Sequence, residues 1–319
     1  MPRPVNEAPP DEPAPEEGTV WHFYRTVYAP QRLIEVTETQ RAAYERIFRF
    51  MREHFGRDLL LTELSDSLAA DFLGSQSRKN KSPGTVNHHR SLLLAVWRFA
   101  FDSGLVSALP RIKKLKQHWD EPDSWSEQEA ARIVEAAGKL ELMPIYGIPA
   151  NKWWRAFLLV AYWTALRRGS LLELRRADVD LQSGWLYVRP VGIKTRRGKR
   201  FRLGADAVAA IREIWLPERE LLFPWRKDRG GTGAHFNRIL ELAGVPRSHR
   251  TSMNQTHKWR RTVATLAAIR GGLSAAVALL GHSGPEMTRR YIDPTKLPGN
   301  DATQFLAPLA LSQHTAETP

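Results

Sequence analysis

The chain has no cysteine among its 319 residues, an absence that removes disulfides, Cys-ligated zinc, iron–sulfur clusters and thiol nucleophiles in one step. Chemistry must come from other side chains. Long apolar runs are lacking too: the longest, Ala156 to Leu166, is far below the roughly 20 residues a bilayer span needs. The N-terminal Met-Pro-Arg-Pro-Val-Asn-Glu has no apolar signal region. A soluble, cytoplasmic protein with no membrane partner is expected. Acidic residues are scarce, 34 Asp plus Glu against 47 Lys plus Arg, and the net charge is +13. Aliphatic content is ordinary, so the excess is a surface field that attracts a polyanion rather than a signature of disorder. Charge alone makes nucleic acid the leading partner.

The charge is unevenly spread. Residues 1–20 hold one Arg, five acids and six prolines, a composition that cannot bury enough apolar area to fold. This reads as a solvated acidic tail of net charge −4, with shielding of a basic groove as the alternative, and leaves +17 on residues 21–319. From Thr37, the residues Tyr44, Ile47, Phe48, Met51 and Phe55 recur at helical spacing up to Gly56. A further apolar turn spans Leu64 to Phe72, and a polar, basic loop is expected over residues 75–84. A long amphipathic helix then runs from Val86 to Gly104, its entry side rich in His88, His89 and Arg90. Residues 111–124 are charged and proline-bearing, which suits an interdomain linker. A helical module over 21–110 precedes it.

The second domain, residues 125–296, opens on Ser126-Glu-Gln-Glu129, a capping box. Helices continue through Lys152–Leu174, with Gly169 the one weak point. The period then switches to that of two strands, Trp185–Arg189 and Lys199–Leu203, around a turn at Val191–Gly198. Half of the 14 residues from Arg189 to Arg202 are Arg or Lys. Helical patterns resume at Asp206–Trp215, Ala234–Ala243, Lys258–Ile269, Ser274–Leu280 and Pro285–Tyr291. The fold class is therefore mainly α with one small, very basic antiparallel sheet.

Several motifs fail on inspection. Gly192 to Arg200 is not a phosphate-binding P-loop, because five residues separate its glycines and Arg200 replaces the magnesium-binding Ser or Thr. Asp178 and Asp180 lack a third carboxylate for a two-metal site, and read as a solvated connection. His88 and His89 have no partners of metal-ligating kind and read as a polar edge facing DNA or solvent. No metal and no cofactor is expected.

Four separated segments share one theme, phosphodiester chemistry without a metal. Thr164-Ala-Leu-Arg-Arg-Gly169 places Arg167 and Arg168 where a helix meets a glycine, and Lys194 sits in the basic hairpin turn. His257 and Arg260 stand at i and i+3, on one helix face. Leu279-Leu-Gly-His282 is followed nine residues later by Tyr291. Ser283 and Glu286 read as a capping box with Pro285 in the first turn, so a helix should start just after His282 and run to Tyr291. Eight residues at 1.5 Å each would carry Tyr291 about 12 Å along the axis.

These segments together resemble the tyrosine recombinase (phage integrase) family over roughly residues 30–295. Its catalytic domain has an Arg in a Thr-Gly-Leu-Arg type box, a hairpin Lys, a His-x-x-Arg helix, a Leu-Gly-His turn and a Tyr nine residues after that His. The helical module looks like the family's core-binding (SAM-like) domain. By position, the resemblance implies catalytic roles for Arg167, Lys194, His257, Arg260, His282 and Tyr291, with Lys199 the alternative hairpin lysine. Three departures stand out: Ala165 replaces the glycine of the first box, Ser170 a frequent acidic residue, and Arg261 a frequent second histidine.

The implied chemistry is site-specific strand exchange on double-stranded DNA through a 3′-phosphotyrosyl intermediate on Tyr291, independent of metal and ATP, by a self-associated synaptic tetramer at the nucleoid. Contacts to DNA are expected from Arg78, Lys79, Lys81, His88, His89 and Arg90, and from Arg196, Arg197, Lys199 and Arg200 of the hairpin. The apolar Gln304–Leu311 segment, within residues 297–319, would dock on a neighbouring protomer or pack in cis. The short tail before residue 21 favours a recombinase with one kind of DNA site. A non-catalytic DNA-binding protein and a type IB topoisomerase-like relaxing enzyme are the rival readings.

Overall fold

The computed structural model describes residues 16–117, 121–190, 198–225, 231–246 and 255–298. The chain divides into two compact units, Met1–Trp119 and Asp120–Pro319, the division falling inside the segment read as a linker.

The first unit is helical. A short helix α1 (Val20–Phe23) passes through a π-helical turn at Tyr24–Tyr28 into α2 (Ala29–Arg32), followed by α3 (Glu38–Phe55), α4 (Asp66–Arg78) and α5 (Pro83–Asp102). The Thr37 hydroxyl accepts from the Gln40 amide at 3.3 Å, capping α3, and Gly56 closes it in the left-handed region at φ 69°. Three expectations are corrected here. Order begins before residue 21: Thr19 and Val20 are buried, and the Val20 amide donates to the Leu59 carbonyl at 2.8 Å, because Val20, Trp21 and Phe23 have apolar area to bury. The basic loop is shorter than expected, since α4 continues to Arg78 with Ser75 and Gln76 buried on its inner face. Finally, the start of the expected linker is packed: Asn87 bonds the Leu115 backbone in both directions, and Arg90 donates to the Ile112 carbonyl.

The second unit is built on α7 (Ala150–Thr164), which packs against α6 (Glu127–Ala137), α9 (Ala205–Glu213) and α11 (Gln255–Leu280). Trp153, Trp154, Phe157, Leu158 and Val160 bury almost every face of α7, the pattern of a helix at the centre of a domain. The α6 capping box forms as read, Ser126 and Glu129 each bonding the other's backbone amide. The helices read through Lys152–Leu174 have their break elsewhere than at Gly169: α7 stops at Ala165, held at φ 49°, ψ 26°, and Arg167 begins α8 (Arg168–Leu172). The break thus lies four residues before Gly169, where Leu166 turns back into the core at 7% exposure.

The sheet has three antiparallel strands in the order β1 (Val179–Asp180), β2 (Trp185–Val188), β3 (Lys199–Arg202). Sequence reading anticipated β2 and β3; β1 is two residues long and carries no period. Tyr187 pairs with Arg200 and Trp185 with Arg202, so aromatic and guanidinium groups alternate on the outer face while Leu186, Val188 and Phe201 face the core. The helix α10 (Gly231–Leu242) precedes α11, and α12 (Pro285–Arg289) follows it.

The shape of α11 decides the site. It is broken at Gly271 and at Gly272, whose φ 70°, ψ 179° is a combination essentially restricted to glycine. An unbroken helix would put Arg260 and Leu280 about 30 Å apart. Instead Arg260 Nη2 donates to the Leu280 carbonyl at 3.3 Å, so the two halves fold back on each other. Among the described residues α11 is also the one helix long and apolar enough to cross a membrane. Its glycine break and its packing on α6, α7, α10 and α12 make it a core helix.

Candidate active site

The two halves of α11 and the short α12 bring four of the predicted residues together. His257 and Arg260 project from the first half, and His282 sits just past Gly281, the left-handed residue (φ 68°) that ends the second. The Tyr291 ring lies 5.1 Å from each imidazole, centroid to centroid, and the Arg260 guanidinium carbon is 5.3 Å from that ring. The expected helix from His282 to Tyr291 is corrected: Gly284 is the N-cap without a side-chain bond, and α12 ends at Arg289. Tyr291 therefore sits on the turn beyond the helix, its amide donating to the Thr288 carbonyl at 2.8 Å. This brings the phenol back beside His282 instead of about 12 Å away.

Arg260 is 4% exposed. Its Nη1 donates to the Ala165 carbonyl and its Nη2 to Leu280, while Nε is a buried donor without a partner among the described residues. Burial and the neighbouring Arg167 draw its guanidinium down to about 10, still protonated at neutral pH, and Tyr291 opposes that shift. Arg167, at the head of α8, is close enough to act electrostatically on Arg260, His257 and His282 alike. The left-handed turn at Ala165 thus serves the site twice, setting Arg167 at the head of α8 and presenting a carbonyl to Arg260.

Both histidines are held neutral. Burial, with Arg261, Arg260 and Arg167 adding to it, pushes the His257 imidazole down to about 4. Burial with Arg260, Arg167 and Lys199 does the same to His282, also to about 4. His282 Nδ1 shares a hydrogen bond with the fully buried Thr288 hydroxyl at 2.9 Å, and its Nε2 is buried without a partner among the described residues.

Lys194, Arg196 and Arg197 lie outside the described residues. Lys199 is the hairpin lysine seen at the site. Its Nζ donates to the Ala278 carbonyl and, at 2.8 Å, to the Leu279 carbonyl, at the end of α11 next to the His282 turn. Burial and Arg260 lower its ammonium to about 8. It is thus a cation on a helix C-terminus rather than a free surface charge, and Arg200 and Arg202 occupy the exposed face. In the first unit Arg78, Lys79, Lys81 and His88 are exposed. His89, read as a polar edge, is instead 7% exposed and packed on Phe50, and burial lowers its pKa first, followed by His88 and nearby cations. Arg90 is committed to Ile112. His89 falls on the helix face shared with Val86 and Leu93, which is why it turns inward.

Sequence reading missed Thr288 and the role of Asp293. Thr288 lies three residues before Tyr291 with nothing to mark it; Asp293-Pro294 read only as a helix stop, yet Asp293 is 5% exposed. Asp178 and Asp180 are structural: Asp178 pairs with Arg189 at 3.0 Å, and Asp180 accepts from the Gln182 and Ser183 amides.

The description of the phage integrase family matches residues 125–297, more than half of the chain. The chain belongs to that family. Over 237 residues it is 27% identical to the tyrosine recombinase XerC of Xanthomonas axonopodis pv. citri (strain 306), covering 69% of this chain and 70% of that one. It is 28% identical to the integrase of Mycobacterium phage L5 over 261 residues, 73% of this chain and 65% of that one. A shorter match, 31% over 115 residues, spans only 25% of the prophage integrase IntR of Escherichia coli (strain K12). Among solved structures, the Tn1549 transposon integrase in complex with a circular intermediate DNA has the same fold, with TM-score 0.68 at 17% identity over 86% of this chain and 95% of that one. So does a lambda integrase tetramer bound to a Holliday junction, with TM-score 0.65 at 19% identity over 87% of this chain and 78% of that one.

Proposed function

We propose that this chain is a site-specific DNA recombinase that cuts and rejoins DNA through a 3′-phosphotyrosyl intermediate on Tyr291, working as a tetramer on double-stranded sites in the cytoplasm, at the nucleoid. One observation carries the reading: the Tyr291 ring stands 5.1 Å from two imidazoles, those of His257 and His282, and 5.3 Å from the buried Arg260 guanidinium. The DNA and the tetramer in the relatives' solved complexes support the partner and the assembly.

The phenol oxygen attacks the scissile phosphorus and loses its proton, with neutral His257 positioned to accept it. Arg167 and Arg260 offer forked donors to the non-bridging oxygens, where negative charge accumulates in the pentacoordinate transition state. His282, whose Nδ1 is held by Thr288, can turn Nε2 to the phosphate and add one more bond to it. The departing 5′ oxygen takes a proton from a hairpin lysine, Lys194 by the resemblance. The phosphotyrosine conserves the energy of the broken bond, so attack by a second 5′ hydroxyl restores the backbone and frees the phenol.

The test is capture of a covalent adduct on nicked duplexes in EDTA, from which the short 5′-hydroxyl fragment diffuses away. An adduct resistant to denaturant supports the reading. Its absence across a randomised pool of duplexes refutes it, and relaxation of supercoils without strand exchange would favour a topoisomerase.

Lys194 and Lys199 separate by a leaving-group test. A 5′-bridging sulfur departs without a proton, so a substrate carrying it should restore cleavage by Lys194→Met to within about tenfold of the unsubstituted rate. Lys199→Met, which loses a cation at the His282 turn, should stay slow on both substrates. Single-turnover adduct rates decide.

The histidines also predict the acid side of the stability profile. Both titrate near 4 in the folded chain against 6.5 when unperturbed, so between these values the unfolded chain binds the extra protons. Stability should therefore fall as pH drops from about 6.5 to 4 and the histidine contribution should level off below. Urea midpoints at pH 7 and pH 5 measure it, and the drop should shrink in His257→Gln.

A further inference from the structure

Tyr291 lies beyond a five-residue helix that has no side-chain N-cap, and a helix that short has no stability of its own. Its position must be imposed from outside. On the N-terminal side the His282–Thr288 bond does this. On the C-terminal side the next two residues are buried: Ile292 against Ala268 and Ala276, and Asp293 at 5% exposure.

Asp293 is the more heavily bonded of the two. Its amide donates to the Thr265 hydroxyl of α11 at 2.9 Å. One carboxylate oxygen accepts from the Thr295 amide and hydroxyl, at 3.1 and 2.6 Å. The other accepts from the amide and hydroxyl of Ser124, both at 3.0 Å, and lies 3.4 Å from the Lys296 ammonium. Lys296 in turn bonds Ser124. Burial pushes the Asp293 carboxyl up, but these bonds and Lys296 more than offset it and leave it below its ordinary value.

The Thr295 bonds are what any Asp-Pro-Thr turn would make locally. The Ser124 bonds are different, because they join residues 169 positions apart. Ser124 also sits in a run of three anchors at the start of the second unit. Asp123 pairs with Lys258 and Arg261, and the Trp125 amide donates to the Thr262 hydroxyl at 2.9 Å. Lys258, Arg261, Thr262 and Thr265 lie on the α11 face next to that of His257 and Arg260.

We propose that Asp293 is a positioning residue for Tyr291 and that Ser124 is the other half of the latch, fixing the nucleophile to the segment through which the chain enters its second unit. The proposal rests on Tyr291 being the nucleophile. A buried carboxylate with four acceptor bonds on two separate strands of chain holds the turn after Tyr291 rigidly. Loosening it displaces the phenol from in-line attack without touching a DNA-binding group.

The test uses the full chain on the nicked duplex that the unsubstituted protein captures best from a randomised pool. Asp293→Ala should slow single-turnover adduct formation about 30-fold or more, and Ser124→Ala about fivefold to tenfold, since misplacement by about 1 Å can cost 100-fold. DNA affinity should stay within twofold in both. Ser124→Thr, which keeps a hydroxyl, should recover most of the rate. Lower melting temperatures with unchanged rates in the folded fraction would overturn the positioning role, as would an equal loss of affinity and rate. If the unsubstituted chain forms no adduct dependent on Tyr291, the recombinase reading itself falls.

Discussion

Tyr291→Phe should leave the protein folded and bound to DNA yet unable to become attached to it. The substitution deletes one oxygen and keeps the ring that packs between His257 and His282, 5.1 Å from each. Stability should change by no more than about 1 kcal/mol, the ordinary worth of one hydrogen bond. DNA affinity, set by cations that the change does not touch, should stay within about twofold. Covalent adduct on nicked DNA should disappear, because the phenol oxygen is the attacking group of the proposed reaction and phenylalanine keeps the ring without it. Denaturing gels read the adduct and filter binding the affinity. An adduct that survives would move the nucleophile elsewhere and dismantle the proposed mechanism.

Arg260→Ala should be nearly as damaging, for two separable reasons. The guanidinium holds the Ala165 and Leu280 carbonyls, and removing it strands two buried acceptors at about 1–3 kcal/mol each. It also removes a forked donor from the site of charge development, a loss on the order of 100- to 1000-fold in rate for one such donor and more for two. Arg260→Lys tells these apart. An ammonium keeps the charge but cannot span both carbonyls, so it should recover part of the DNA affinity and little of the cleavage rate. The readouts are urea midpoints for the structural share and single-turnover adduct rates for the chemical one. A Lys variant cleaving within about tenfold of the unsubstituted chain would show that charge, not the fork, is what Arg260 supplies.

Much of this site was legible because its chemistry is written in short spacings. His257 and Arg260 share a helix face by arithmetic alone, and the interval from His282 to Tyr291 is fixed by one turn and one helix. The basic hairpin was visible as a run of charge and the core helix α7 as a run of apolar residues. What stayed hidden depends on contacts far apart in sequence. Nothing near Ala165 announces a left-handed residue there, since an alanine satisfies every local helical preference and only its carbonyl's meeting with Arg260 explains the turn. His89 matched a polar edge by residue type and is buried through the packing of α5 against Phe50. Asp293 carried the plain signature of a helix stop, and its bonds to Ser124 cross almost the whole second unit. The helix leading to Tyr291 was overextended because capping residues mark where a helix can begin and do not say where Tyr291 will turn back.

The glycine break in α11 has a bearing on how the site comes into being. A helix folded back at Gly271 and Gly272 places His257, Arg260, His282 and Tyr291 within one continuous stretch of chain, so their mutual contacts close over short loops. Short-range contacts form early and fast, whereas Arg167 and Lys199 arrive only when distant elements dock. The nucleophile and its histidines should thus be assembled before the arginine and lysine that complete the phosphate pocket, and the Gly272→Ala chain should refold more slowly than it unfolds faster, the mark of a position already structured at the folding barrier.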